Sequence, residues 1–181
     1  IFIGKVLFKA EKTLNMVFPS SLEVFIFAKL SKRFAYPAFI SIGLTSSEEI
    51  KSPNVAKFVL DIFIKNHSLF NDYIAISPNL AYDNDKLANK LVNFDYSKIE
   101  KPTYLYLSNA NEGIKYWQEW KPAREKVYSF FNKSIKNDNL KVKIDKFPEN
   151  NHWNTFPVSL NKALDFYFEN IHDLQEKELS K

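Results

Sequence analysis

Past residue 36, short apolar runs alternate with longer amphipathic segments. The short runs have the length of buried strands, whereas the apolar residues of the longer segments recur at the spacing of one helix face. The predicted strands span residues 38–44, 73–77, 103–108 and 140–147. The predicted helices span residues 55–66, 85–93, 116–133 and 158–171. Strands that alternate with helices indicate βα crossovers, so we expect an α/β fold with a mostly parallel sheet and helices on both faces.

The two ends of the chain fit this alternation less well. Near the start, the apolar stretches 1–8 and 22–30 suggest a strand and a helix, with a turn at Phe18-Pro19-Ser20-Ser21 between them. Residues 1–172 are predicted to form a single domain, and the polar tail 173–181 is expected to fray in solvent. Because the sequence does not begin with methionine, we expect an N-terminally truncated part of a longer protein.

Composition excludes several classes of partner and cofactor. Of the 181 residues, 45% are hydrophobic and 16% aromatic, which is ample for a buried core. The net charge of +4 comes from scattered lysines, so nucleic acid is not an expected partner. No apolar run reaches membrane-spanning length, and we expect a soluble protein whose compartment, bacterial-type cytoplasmic or exported, stays open. With no cysteine and three widely separated histidines, no metal or other cofactor is implied.

Three segments together resemble a known family. Segment 73–83 (YIAISPNLAYD) is a strand that ends in a Ser-Pro pair and continues into an aromatic and acidic turn. Segment 101–113 (KPTYLYLSNANEG) is a strand with an acidic turn, and segment 147–152 (FPENNH) is a loop that carries a histidine. In order, and over roughly residues 55–171, the chain resembles the esterase-D and enterochelin-esterase-like branch of the α/β-hydrolases. The resemblance implies a three-layer α/β-hydrolase-like fold.

The resemblance also implies ester hydrolysis by a serine, a histidine and usually an acid. His152 matches the general base, because an imidazole on a loop can take and return a proton near neutral pH. Glu112 follows the strand 103–108, where an acid would orient that imidazole. Each residue also has a structural interpretation: His152 as a solvated loop histidine, and Glu112 as a surface carboxylate in a turn made possible by Gly113.

The nucleophile departs from the family pattern. The motif Gly-x-Ser-x-Gly is missing, since the three glycines are at positions 4, 43 and 113. Counting forward from the first predicted parallel strand puts Thr45 at the nucleophile position, and counting backward from Tyr73 points to segment 51–54. The difference implies an insertion at residues 48–54. Ser46 and Ser52 are therefore the candidate nucleophiles, and the alternative is that they are loop serines that cap the helix 55–66.

The sequence thus predicts a carboxylic ester hydrolase of the serine esterase type that acts on a small-molecule ester. The alternative is a non-catalytic α/β-hydrolase-fold binding or interaction protein, and the oligomeric state stays open. If the fold is right, the loops bearing Ser77, Glu112 and His152 should converge at one edge of the sheet, and Ser46 should approach His152 more closely than Ser52 does. Ser77 and Asp83 could line a pocket there. The aromatic segment 116–120 is expected to pack on its helix, although it could stack on a ligand.

Overall fold

The structure, a computed structural model, describes residues 24–27, 39–42, 54–111, 114–135, 137–151 and 154–180. These residues form one five-stranded sheet and four α-helices. The strands are β1 (Val24–Phe27), β2 (Phe39–Ile42), β3 (Asp72–Ile76), β4 (Thr103–Ala110) and β5 (Leu140–Phe147). The helices are α1 (Asn54–Lys65), α2 (Tyr82–Val92), α3 (Ile114–Ser134) and α4 (Thr155–Leu179).

The strands lie in the sheet in the order in which they occur along the chain, β1-β2-β3-β4-β5. The pairs β2–β3, β3–β4 and β4–β5 are parallel, and a helix connects the strands of each pair. These crossovers confirm the predicted α/β fold with a mostly parallel sheet. Because parallel strands point the same way, their carboxyl ends meet at one edge of the sheet, and this edge is where a site is expected.

The strand β1 corrects one prediction. The stretch 22–30 was expected to be helical, but Val24–Phe27 pairs antiparallel with β2 along all of its length. Its sequence, Val-Phe-Ile-Phe, consists of β-branched and aromatic residues, which favour a strand over a helix. The other stretch, 1–8, lies outside the described residues.

The helices cover both faces of the sheet. Side chains alternate along the strands, so Tyr73 and Ala75 pack in one core with residues of α1, α2 and α3, whereas Ile74 packs in a second core with α4. In β4, Leu105 belongs to the first core, and Tyr106 belongs to the second. The described part of the chain therefore has three layers, as the sequence predicts for a sheet buried on both faces.

The buried stripe of α1 shows how the sequence pattern positions a helix. The residues of this stripe are spaced three or four positions apart and belong to the first core: Ala56, Val59, Leu60 and Phe63. Phe58 and Ile62, which the apolar pattern assigns to the same face, are only partly buried at its margin. Phe63 is fully buried and packs edge-on against Tyr73, with ring centroids 5.1 Å apart. Burial of such a ring stabilises the fold by about 1.5–3 kcal/mol.

Helix α4 is longer than its apolar pattern indicates. It begins at Thr155 and continues to Leu179, so most of the tail that was expected to fray is helical. Intrahelical bonds support the last turns, including one from the Ser180 amide to the Glu176 carbonyl, 3.1 Å long. Among the described residues, no helix combines the length and the apolarity that crossing a membrane requires.

Candidate functional site

The carboxyl ends of β3, β4 and β5 bring three loops to one edge of the sheet. The Ser77 amide donates a hydrogen bond to the Ser108 carbonyl, 3.0 Å long, which continues the β3–β4 ladder by one residue. Beyond the ends of β4 and β5, the Asn111 amide donates to the Asn150 carbonyl over 2.7 Å. The backbone at Asn111, immediately before Glu112, is therefore bonded to the backbone two residues before His152.

All four residues predicted to act in catalysis, Ser46, Ser52, Glu112 and His152, lie outside the described residues. The structure describes the residues that precede Glu112 and His152, and these are close together. A hydrogen bond between the two side chains stays a prediction, and so does the closer approach of Ser46 than of Ser52 to the imidazole.

Asparagines build the loop that carries His152. The Asn151 amide donates to Oδ1 of Asn154 over 2.8 Å, and the Asn154 amide donates back to Oδ1 of Asn151 over 3.2 Å. The Thr155 amide also donates to the Asn151 carbonyl, over 3.0 Å. These bonds occupy amides at the start of α4 that would otherwise have no partner within the helix. Asn151 and Asn154, which flank the segment 152–153, are thus bonded to each other.

A buried hydroxyl network lies beneath this edge, on the α4 face of the sheet. The Ser108 hydroxyl donates to Oγ of Ser159 over 3.1 Å, and Ser159 and Thr155 share a second bond of 3.2 Å. All three side chains are buried. The sequence pattern does not predict this network, because its members come from β4 and from α4, which follows β5. The one local signal is that Ser108 directly follows the apolar and aromatic run 104–107 of β4.

The connection from β3 to α2 has an unusual backbone. Ser77 has a φ of 47°, and Asp83, Asn84 and Asp85 have φ values of 56°, 53° and 61°. This left-handed region is costly for residues other than glycine, although aspartate and asparagine tolerate it best. Regular helical geometry begins only after Asp85, which explains why the apolar pattern predicts a helix start near that residue. Strained backbone of this kind is concentrated at functional sites.

A cavity of about 550 Å³ lies beside this strained segment. Five of its lining residues come from the connection and the start of α2, and one comes from α3. They are Asn79, Ala81, Tyr82, Asn84, Asp85 and Trp120. Ser77 and Asp83, which could line a pocket at this edge, are not among these six residues. Asp83 instead pairs with Lys86 over 3.0 Å, and the buried Ser77 hydroxyl has no hydrogen-bond partner among the described residues.

The side chains of the cavity are aromatic, amide and acidic. The Tyr82 ring is about half exposed, and Trp120 and Asp85 are half-buried. Asn79 is buried, and its Oδ1 accepts a hydrogen bond of 3.2 Å from the Ala81 amide. Within the described ranges, no three histidine, aspartate or glutamate side chains are grouped closely enough to hold a metal ion. The chemistry offered by the described residues is therefore ring stacking, hydrogen bonding and a single carboxylate.

Comparison with solved structures shows what the fold is similar to. A BES protein from Bacillus cereus matches 62% of this chain over 41% of its own length, with 23% sequence identity and a TM-score of 0.50. Siderophore hydrolase EstB from Aspergillus nidulans matches 62% of this chain over 44% of its own, with 17% identity and a TM-score of 0.48. Siderophore hydrolase EstA from the same organism matches 61% of this chain over 43% of its own length, with 15% identity and a TM-score of 0.47.

The likeness to the Bacillus cereus protein is one of fold, and it confirms the α/β-hydrolase-like architecture that the sequence predicts. The matched region spans less than half the length of each of these proteins. No protein-family model matches the sequence. No curated protein sequence matches it either.

Proposed function

We propose that this chain is a carboxylic ester hydrolase of the serine esterase type, with His152 as general base and Glu112 as the acid that orients it. The observation that carries the proposal is the 2.7 Å bond between the Asn111 amide and the Asn150 carbonyl. It joins the two loops that bear these residues at the carboxyl edge of a parallel sheet. A base and an orienting acid must be within hydrogen-bond reach of each other, and loops joined in this way allow it.

The proposed reaction follows the chemistry of a serine hydroxyl. His152 removes the proton of Ser46 or Ser52 as the oxygen attacks the ester carbonyl, and a tetrahedral oxyanion forms. The imidazolium then gives its proton to the leaving alcohol, the carbon–oxygen bond to that alcohol breaks, and an acyl-serine remains. Water attacks the acyl group with His152 again as base, which releases the acid and restores the hydroxyl. Glu112 stabilises the imidazolium in both halves of the cycle.

The experiment is the hydrolysis of p-nitrophenyl butyrate by the purified chain and its variants. We expect His152→Ala to abolish measurable hydrolysis and Glu112→Ala to leave a reduced remainder, because the acid acts only through the base. Ser46→Ala and Ser52→Ala identify the nucleophile, and labelling with a fluorophosphonate followed by peptide mass spectrometry reports the same residue independently. His172→Ala is the matched control, because that histidine is exposed on α4 and its ion-pair partner among the described residues is Glu176, at 3.8 Å.

A second candidate is a non-catalytic binding protein with the same fold. The missing Gly-x-Ser-x-Gly motif favours it, because small residues let a serine occupy the strained turn after its strand. Wild-type protein that neither hydrolyses the ester nor takes the fluorophosphonate label would establish this alternative. Activity that survives His152→Ala undiminished would contradict the proposed catalytic role of the histidine.

A further inference from the structure

The cavity beside α2 combines two aromatic side chains with one unpaired acid. Tyr82 contributes a ring from α2, and Trp120 contributes a ring from α3, which packs against α2. Asp85 contributes a carboxylate. Among the described residues, the Asp85 side chain has no hydrogen-bond or ion-pair partner, whereas its neighbour Asp83 pairs with Lys86. A half-buried carboxylate and the electron-rich faces of aromatic rings are both groups that attract a cation.

One of these rings already holds a cation. The ammonium of Lys57 lies 4.4 Å from the centroid of the Tyr82 ring. Lys57 is not among the residues that line the cavity, so the charge of Asp85 is not neutralised from within it. The Tyr82 ring is therefore placed where cation–π attraction operates, and none of the six described lining residues carries a positive charge.

The position of the cavity relates it to the proposed reaction. Asn79, Tyr82 and Asp85 follow β3 at its carboxyl end, and Trp120 follows β4 within the second turn of α3. The loops that bear Glu112 and His152 leave the same edge of the sheet. A volume of about 550 Å³ is within the usual range for small-molecule sites, and it accommodates a branched head group.

We propose that Tyr82, Asp85 and Trp120 form a subsite for a substituted ammonium group carried by the ester substrate. The proposal rests on the proposed function, because it places the cationic part of the substrate beside the reacting ester. Asp85 lies in the left-handed segment 83–85, and no lysine of the described residues pairs with its carboxylate. Asn79 and Asn84 supply amides for polar groups that accompany the charge.

Binding tests the subsite separately from catalysis. Choline and 3,3-dimethylbutan-1-ol have nearly the same shape and differ in charge, so their affinities can be compared by ligand-observed NMR titration of the full chain. We expect choline to bind at least about tenfold more tightly, since a cation–π contact and a carboxylate both favour it. Asp85→Asn should remove most of this preference, and Tyr82→Leu should reduce it.

Asp83→Asn is the matched control, because Asp83 has the same side chain and the same left-handed backbone but does not line the cavity. It should keep the preference for choline. Equal binding of choline and the neutral alcohol by the wild type would overturn the proposal, and so would an equal loss in the Asp83→Asn and Asp85→Asn variants. Tighter binding of methyl glucoside than of choline would also overturn it, in favour of a neutral polyol.

Hydrolysis then connects the subsite to the reaction. On the proposal, kcat/KM for butyrylcholine exceeds that for 3,3-dimethylbutyl butanoate, and Asp85→Asn lowers only the former. If both esters and p-nitrophenyl butyrate remain intact while choline still binds selectively, the proposed esterase function fails and the cation site stands as that of a binding protein. If the esters are cleaved at equal rates and choline shows no selective binding, the subsite fails and the esterase stands.

Discussion

On the α4 face of the sheet, a buried polar cluster at the carboxyl end is hydrogen-bonded within itself, whereas one at the amino end is incompletely bonded. At the carboxyl end, the hydroxyls of Ser108, Ser159 and Thr155 bond to one another. At the amino end, Asp72 is 3% exposed and faces Asn170 of α4. Oδ2 of Asp72 and both polar atoms of the Asn170 amide have no hydrogen-bond partner among the described residues. Hydroxyls can both donate and accept, so they satisfy one another, whereas a buried carboxyl without a complete set of donors favours its neutral form.

This contrast appears in the titration of Asp72. Burial raises the pKa of its carboxyl from 3.8 to about 7, and the nearby Asn170 amide only partly opposes the rise. The charged form in turn acts on its neighbours, because it contributes to the raised pKa values of Tyr104 and Tyr167, although burial is the larger cause for both. The charge of Asp173 also contributes to the raised pKa of Tyr104. The buried carboxyl at the amino end therefore carries a pH-dependent cost, and the three bonded hydroxyls at the carboxyl end do not.

The largest effect is predicted for Asp72→Asn, which removes this pH-dependent cost. The raised pKa means that the folded state binds the proton more tightly than the unfolded state does. The resulting stabilisation is complete below about pH 4 and is lost as the pH rises to about 7, on the order of 4 kcal/mol. We expect Asp72→Asn to abolish this fall and to be more stable than the wild type at pH 8. Urea unfolding between pH 4 and pH 8 measures the difference.

The control for this prediction is Asp173→Asn. Asp173 is about half exposed and lies 3.5 Å from the Lys141 ammonium, so its removal should change stability by only a few tenths of a kcal/mol. If Asp72→Asn loses stability between pH 4 and pH 7 as steeply as the wild type, the carboxyl is not the source of the pH dependence, and the contrast between the two ends disappears.

The second-largest effect is predicted for Ser159→Ala, which breaks the hydroxyl network at the carboxyl end. Ser159 bonds to both Ser108 and Thr155, so Ser159→Ala leaves two buried hydroxyls without that partner and should cost roughly 2 kcal/mol. Ser108→Ala leaves the Ser159–Thr155 bond intact and should cost about half as much. Equilibrium unfolding of both variants at one pH measures the difference. Equal losses would mean that the three hydroxyls do not act as a chain centred on Ser159.

The smallest effect concerns the backbone of Ser77. Its φ of 47° suits glycine, and its buried hydroxyl has no partner among the described residues. Ser77→Gly should therefore be neutral or stabilising by up to about 1 kcal/mol, whereas Ser77→Val, with a β-branched side chain, should destabilise. Thermal unfolding of the pair is the measurement. A clear loss of stability in Ser77→Gly would show that the hydroxyl contributes an interaction of its own.

Much of the fold follows from local pattern. Past residue 36, the strand 140–147 is predicted to its last residue, and the other predicted strands and helices each coincide with an observed element to within a few residues, apart from the longer α4. These elements are predictable because their spacing repeats every two residues in strands and about every 3.6 in helices, and each repeat is visible in a short window. Local pattern is a weaker guide where a short apolar segment is compatible with either a strand or a helix, as at β1.

The candidate site depends on both the sequence and the tertiary structure. The sequence by itself determined the order of strands and loops, and with it the expectation that the loops of Glu112 and His152 leave the same edge of the sheet. Only the tertiary structure decided that Asn111 bonds to Asn150, that Trp120 lines a cavity with Tyr82, and that Asp72 is buried against Asn170. These contacts join residues far apart in the chain. Their partners depend on how the helices pack on the sheet, and no local period encodes that packing.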